Sequence, residues 1–343
     1  MSQRVSQQAS QDDTTAQSSV RRPGDDHAQA VVAFGGGHGL HASLSALRLL
    51  VDDLTVDQLT AVVTVADNGG SSGRLRREFG VLPPGDLRMA LAALCGDDRW
   101  GVTWAKVLQH RFAGAGEMNG HNLGNFLIVG LWELLEDHVE ALDWVSRLLG
   151  AKGRVLPMAL VPMDITAEVR GLDPADPERR TTVRGQVEVA TTDGVIDSIA
   201  LVPEDPPAAP EALEAIASAE WIFLGPGSWF TSVIPHLMVQ ALHRALVATP
   251  ARVVVVLNLA DEAGETGGFG PAHHLRVLTE HAPDLKVHAV LADRGMEGLD
   301  ELAELVAACG STLVVEDVAV GDGTPRHDPA KLAAAYARIM TGA

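Results

Sequence analysis

Most of the residues able to hold an anion sit in three glycine-rich stretches: "GGGHG" at 35–39, "DNGGSSGR" at 67–74 and "LGPGSWFTS" at 224–232. Glycine lets backbone N–H groups approach phosphate oxygens with no Cβ in the way, and a following helix N-terminus adds orphan donors and a favourable dipole. The first stretch offers Gly36, Gly37, His38, Gly39 and Leu40; Gly37, Gly39 and Ala42 also satisfy the G-x-G-x-x-A pattern of a dinucleotide site. A tight strand-to-helix turn that holds no ligand is the competing reading. The second places Asp67 and Asn68 ahead of Gly69, Gly70, Ser71, Ser72, Gly73 and Arg74. Asp67 suits a ribose or sugar hydroxyl or a magnesium ion, and equally suits a helix N-cap or a turn. In the third, Gly225 and Gly227 bracket Pro226, and Ser228, Thr231 and Ser232 gather more hydroxyls than one helix cap uses.

A polar patch, "NGHNLGN" at 119–125, adds His121, Asn122 and Asn125. These suit a base, a ribose or a sugar, or else serve as a cap and as buried polar groups ahead of an apolar helix. Asp86 reads as the cap of its helix, slightly favoured over a ligand role, and Arg76 and Arg77 as a solvated helix face. The tryptophans at 100, 104, 132, 144, 221 and 229 read mostly as core; Trp229, inside a glycine loop, is the candidate for stacking on a ligand ring. No H-E-x-x-H and no Walker A lysine occur, and the histidines lack metal-ligand spacing, so hydrolase and P-loop ATPase readings are set aside. A nicotinamide enzyme is disfavoured too. Its acidic ribose-binding residue is expected about 20 residues on, whereas Asp67 comes later and opens a second glycine loop. The residues favour a nucleotide with an extended polar tail lying over both loops.

The elements that must position these loops alternate. "AVVAFGGG" at 30–37 is an apolar run ending in glycine, as a buried strand entering a tight turn does. "LHASLSALRLL" follows with apolar residues at helical spacing, and "LTAVVTVA" is a second strand running into Asp67. This rhythm predicts βαβ units and a parallel sheet. Helices are expected around "DLRMALAALC", "WAKVLQHRF", "NLGNFLIVGLWELL" and "EALDWVSRLLG". From 152 to 202 a stricter alternation predicts antiparallel strands, a β-rich insertion or an edge addition to the sheet. "EWIFLGPGSWFTS", "ARVVVVLNLADEAGET", "LKVHAVLAD" and "STLVVEDVAV" then restore the strand-then-helix rhythm. C-terminal strand ends in parallel sheets converge on the crevice where ligands bind, so three anion-type loops there predict a ligand site.

Composition sets the bounds. At 343 residues and 46% hydrophobic, the chain can bury a large core. Its formal charge of -19 argues against nucleic acid as a partner and repels anionic membranes. An anionic ligand must then be held by local backbone donors and a few arginines. Cys95 and Cys309 lie far apart with no C-x-x-C, which fits a reducing, cytoplasmic compartment. No apolar run approaches the roughly 18–20 residues of a membrane helix, so no membrane insertion is expected. Residues 1–28, rich in Gln, Ser, Asp and Thr, have no apolar h-region and read as a disordered tail before one domain at 29–343.

"VVAFGGGHGL", "AVVTVADNGGSSGRLR", "GVLPPGDLRMALAAL", "GHNLGN", "KGRVLP", "LGPGSWFTSVIPHL" and "LNLADEAGET" follow one another in this order. From about Val31 to near Tyr336 the chain resembles the YvcK (gluconeogenesis factor) group of the CofD-like family, of actinobacterial type. The resemblance implies a Rossmann-like α/β fold, a mainly parallel sheet with helices on both faces, and binding of a UDP-sugar, notably UDP-N-acetylglucosamine. It also implies a regulatory role in cell-wall precursor supply, cell shape and growth on gluconeogenic carbon. That role would act through an unidentified regulatory protein partner, with no cofactor required and a homo-oligomer left open. The wider family includes 2-phospho-L-lactate transferase, in whose pattern the second strand ends in an aspartate pair serving magnesium. Here the pair is Asp67-Asn68. Two carboxylates neutralise a divalent cation better than a carboxylate and an amide, so a magnesium-dependent transferase is the alternative and a UDP-sugar-binding regulator without turnover the first reading. A nicotinamide dehydrogenase is a distant third.

Overall fold

The computed structural model describes residues 29–53, 55–260 and 270–342. The expected tail at 1–28 and the second half of "LNLADEAGET" lie outside the described residues. The strands are β1 (Gln29–Gly35), β2 (Val56–Val63), β3 (Arg154–Pro157), β4 (Asp164–Arg170), β5 (Thr181–Arg184), β6 (Val195–Val202), β7 (Trp221–Leu224), β8 (Arg252–Val256), β9 (Val287–Asp293) and β10 (Thr312–Glu316). Seven of them form one sheet in the order β10-β9-β8-β7-β1-β2-β3, with every pairing parallel. Their apolar runs explain the arrangement. Val31–Phe34, Trp221–Leu224 and Val253–Val256 are buried without alternation, because helices cover both faces of the sheet.

The helix Gly37–Asp52 follows β1 and buries Leu40, Leu44 and Leu47 at helical spacing. Ser43 Oγ lies 2.9 Å from the Tyr336 hydroxyl, which ties this helix to the C-terminal helix Pro329–Thr341. The chain builds outward from β1 through β2 to β3, then returns to place β7 on the other side of β1 and builds outward again. Strand order therefore reverses between β1 and β7. Open parallel sheets bind ligands at such a point, outside the carboxyl ends of the strands.

β4, β5 and β6 form a separate antiparallel sheet in the order β5-β4-β6. The region 152–202 is thus not all antiparallel, as its sequence texture predicts. Arg154–Pro157 pairs parallel to β2 in the main sheet, and the antiparallel part begins at Asp164. Alternation did not separate the two, because a four-residue edge strand carries too little pattern. Within "TTVRGQVEVATT", only Thr181–Arg184 is strand, and Gln186–Ala190 is a short helix. The break comes at Gly185, whose φ of 112° an L side chain rarely adopts. Two tryptophans read as core are exposed, Trp100 at 54% and Trp144 at 48%. Both lie on helices of the segment between β2 and β3, where one face meets water.

Candidate functional site

The carboxyl ends of β1, β7 and β8 open into a cleft of about 860 Å³, within the range of roughly 300–1,000 Å³ typical of small-molecule sites. Gly36, Gly37, His38 and Gly39 line it from the first glycine loop; Pro226, Gly227, Ser228, Thr231 and Ser232 line it from the third. These two loops interlock. A Cβ on Gly39 would stand 2.3 Å from the Pro226 carbonyl oxygen and 2.5 Å from Gly227 Cα, so only glycine permits the approach. Gly37 has a φ of 56° and nothing within 4 Å of where its Cβ would be, so its backbone faces open space. The helix that starts there has Gly36 as N-cap with no side-chain cap bond; the Gly37 N–H serves Asp86 behind the wall, and orphan donors of the first turn remain beyond it.

The third loop is held from β8. Asn258 Oδ1 accepts from the Gly227 N–H at 2.8 Å, and its Nδ2 donates to the Gly227 carbonyl at 2.9 Å. Ser228 and Thr231 are hydroxyl-to-hydroxyl partners at the start of a π-helical turn, Trp229–Val233. Gly225 sits beneath the cleft, where a Cβ would meet the Val256 carbonyl at 2.9 Å. Leu40 points into the core and packs under Gly35. Trp229 is fully buried edge-to-face against His274, so it is not on offer as a stacking platform.

The second glycine loop does not line this cleft. Its side chains find partners within the protein. Asp67 Oδ1 accepts from the Gly69 N–H at 2.8 Å, as a turn carboxylate does. Asn68 reaches away from Asp67: its Oδ1 accepts from the Val187 N–H at 3.0 Å and its Nδ2 donates to Glu188 at 2.7 Å. Ser71 Oγ is a buried hub, accepting from the Asn122 N–H at 3.1 Å and from Asn125 Nδ2 at 3.0 Å, and lying 3.1 Å from His121 Nδ1. Ser72 Oγ accepts from the Gly85 N–H at 3.0 Å. Arg74 donates to the carbonyls of Glu117 and Asn119, which pins the loop before His121. Gly70, with a φ of 47°, and Gly73, packed on the Asn68 carbonyl, complete the turn into the helix Gly70–Phe79. His121, Asn122 and Asn125 are therefore behind the loop rather than in the cleft. The run Gly69–Gly73 also satisfies the G-x-S-x-G of a hydrolase elbow. A nucleophile elbow exposes its serine, and Ser71 is buried.

Asp86 departs from its reading as a cap. It lies in the first turn of the helix Gly85–Ala93 with no capping bond, buried, and its Oδ2 has no hydrogen-bond partner among the described residues. That oxygen lies 2.7 Å from where a Cβ on Gly36 would be, directly behind the cleft wall. Asp67 Oδ2 lies 2.7 Å from where a Cβ on Gly85 would be, and its charge is felt at Asp86. Burial, then the Asp67 charge, pushes the Asp86 carboxyl up to about 7, partly opposed by the Gly37 N–H and Arg88. Burial also raises Asp67, against the hydrogen bonds from Gly69 and Ser72. Arg88, buried and bonded to Asn125 and Gln109, is lowered to about 10 by burial first and then by Arg111. Arg76 is likewise not solvated: it pairs with Asp164 at 2.6 Å with its side chain 15% exposed.

Several cleft residues carried no signal in the sequence. Gln186, Val187 and Thr191 come from the insertion, and Pro325, Arg326 and His327 from the loop after β10. That loop is placed by Asp293, whose carboxylate accepts from the Val318 and Ala319 N–H groups at 2.8 and 3.1 Å. Burial lowers His327 to about 4, so its ring is neutral near pH 7, and its Nε2 finds no partner among the described residues. Isolated polar residues in "DGTPRHDP" show no periodicity, and only the topology brings them opposite the glycine loops.

A family model described as 2-phospho-L-lactate transferase CofD matches residues 31–320. A Mycobacterium tuberculosis relative is 53% identical over 308 residues, covering 89% of this chain and 88% of its own length. A Listeria innocua relative is 32% identical over 322 residues, covering 90% and 95%. Both carry the name gluconeogenesis factor. A crystal structure from Bacillus halodurans, described as a member of the UPF0052 family, superposes with a TM-score of 0.79 at 31% identity. It covers 90% of this chain and 99% of its own. No described helix is long and apolar enough to cross a membrane.

Proposed function

The chain belongs to the family of 2-phospho-L-lactate transferase CofD, and on that premise we propose that its cleft binds a UDP-sugar, UDP-N-acetylglucosamine first among them, as a regulatory ligand that is not consumed. The observation that carries the reading is the bare, interlocked backbone of Gly36, Gly37, Gly39 and Gly227 at the point where strand order reverses. A diphosphate would be solvated there by N–H groups of the first helical turn in a protein of charge -19. Thr231, Ser232 and Arg326 line the same space, with the Arg326 guanidinium held by Asp322 and Thr324. Discrimination of the base and the sugar then falls to Gln186, Thr191 and neutral His327 rather than to Asp67, Asn68, His121, Asn122 and Asn125.

The name shared by the relatives supports a role in growth on gluconeogenic carbon. Control of cell-wall precursor supply and cell shape is the finer part of the proposal. Binding would shift the protein between states that a regulatory protein partner distinguishes, through unequal affinity for those states. A ligand that is consumed cannot report its own concentration. No cofactor is required for this role.

One observation favours the second reading, a magnesium-dependent transferase. The Asp67 charge is felt at Asp86, and a buried carboxylate oxygen without a partner fits a divalent cation. When bound, such an ion would neutralise charge developing on a phosphoryl group; Asp67 and Asp86 would hold it, and the glycine backbone would orient the diphosphate. The two readings separate in one experiment. The protein in excess is incubated for hours with UDP-N-acetylglucosamine, magnesium and a small-molecule cell extract, then denatured and the nucleotides separated. Intact recovery is expected. Protein-dependent UDP or UMP, lost in Asp67→Ala and Asp86→Asn, would establish the transferase instead.

A further inference from the structure

We propose a second anion site, separate from the strand-end cleft, between the helix Gly70–Phe79 and the antiparallel insertion. A cavity of about 380 Å³ opens there, with Arg76, Arg77 and Arg184 around Asp164, and Asn68 at its rim. Three guanidinium groups against one carboxylate are a local excess of positive charge in a chain whose formal charge is -19. Glu188, held by Asn68, is the other acid touching this rim and leaves the balance positive.

Asp164 organises the cluster without saturating it. Its Oδ1 accepts from Arg76 at 2.6 Å, and its Oδ2 accepts from Arg184 Nε and Nη2 at 2.9 and 2.7 Å. Two guanidinium planes are thereby fixed on one carboxylate, one from the helix Gly70–Phe79 and one from β5. Arg76 Nη1 is buried and has no hydrogen-bond partner among the described residues. A buried guanidinium N–H left unpaired is costly. Arg77 makes one long contact, 3.4 Å to the Asn68 carbonyl, so most of its fork is uncommitted. Planar guanidinium forks match the oxygens of a tetrahedral oxyanion, and several converging on one space select a doubly charged one. The ligand class is a small phosphate: inorganic phosphate or a phosphate monoester of similar size.

Nothing in this proposal depends on what the strand-end cleft binds. The probe is inorganic phosphate, and the readout is the rate at which phenylglyoxal modifies each arginine of the full chain, mapped by mass spectrometry. Rates are compared in phosphate and in chloride at equal ionic strength. Arg77 and Arg184 should react about fivefold or more slowly at saturating phosphate, while Arg179 and Arg180 of the same insertion keep their rates. Arg77→Ala should abolish the slowing at Arg184. Should that variant lose its thermal transition, Arg77→Lys keeps the charge, removes the fork and should weaken the protection. Gly37→Val, which fills the other cleft, should leave it intact. Equal rates in both salts, slowing spread over all four arginines, or full protection of Arg184 in both Arg77 variants would overturn the site. An acid phosphate ester competing with inorganic phosphate would identify a monoester as the occupant; failure of any ester to compete leaves inorganic phosphate as the ligand.

Discussion

The ends of β1 and β2 look alike in sequence, each an apolar strand breaking into glycines before a helix, yet they spend their backbone differently. After β1, glycine is needed so that two loops can interlock at Gly39 and Gly227, and the first turn of the helix faces open space. After β2, glycine lets a loop fold back on itself, and its Ser71, Ser72 and Asn68 groups meet protein partners. The lesson is that a glycine-rich strand end offers donors, while the neighbouring elements decide whether a ligand or the fold receives them.

The strongest way to break this contrast is Gly37→Val. A branched side chain there enters the cleft, and binding of a UDP-sugar should fall by about 100-fold or more, equivalent to about 2.7 kcal/mol. Circular dichroism should show the fold retained, and unchanged affinity would remove the loop from the site. Next in size is Asp86→Asn. A carboxyl raised to about 7 by burial binds its proton more tightly in the folded chain than in the unfolded one. Its contribution to stability is therefore full below about pH 4 and lost as pH rises through about 7. The variant should melt higher than the native protein at pH 8, with a flatter dependence of Tm between pH 4 and 7. An unchanged slope would show that Asp86 does not hold its proton there.

Ser71→Ala should cost stability rather than binding. It strips a partner from the Asn122 N–H, Asn125 Nδ2 and the His121 ring, a loss on the order of 2 kcal/mol for buried groups left unpaired. Denaturant titration should report that loss while calorimetry reports unaltered ligand affinity; weakened binding with native stability would return the second loop to the ligand site. The smallest effect belongs to Gly70→Ala. Gly70 shares a positive φ and an open Cβ position with Gly37. Only the left-handed strain of roughly 1–2 kcal/mol is expected, with no change in binding.

The sheet was readable because buried parallel strands are continuous apolar runs, two of which break straight into glycine, after Phe34 and after Leu224. Both loops that line the cleft were readable for the same reason. Asp86 was not, because its meaning depends on Asp67 reaching it across a helix start, and sequence distance carries no trace of that approach. Arg326 and His327 were hidden by the crossover that carries the segment after the last strand back over the cleft. The partners of Asn68 were hidden as well: the insertion, far along the chain, takes both of its hydrogen-bonding ends.

The central claim is that the interlocked loops after β1 and β7 hold the diphosphate of a UDP-sugar. Calorimetric titration of the full chain with UDP-N-acetylglucosamine and with NAD, at one salt concentration, tests it most directly. Both ligands carry a diphosphate, so the glycine backbone alone cannot tell them apart. The account predicts saturable binding of UDP-N-acetylglucosamine clearly tighter than that of NAD, lost in Gly37→Val and kept in Ser71→Ala. Binding of NAD as tight or tighter, or binding of the UDP-sugar that survives Gly37→Val, would contradict it.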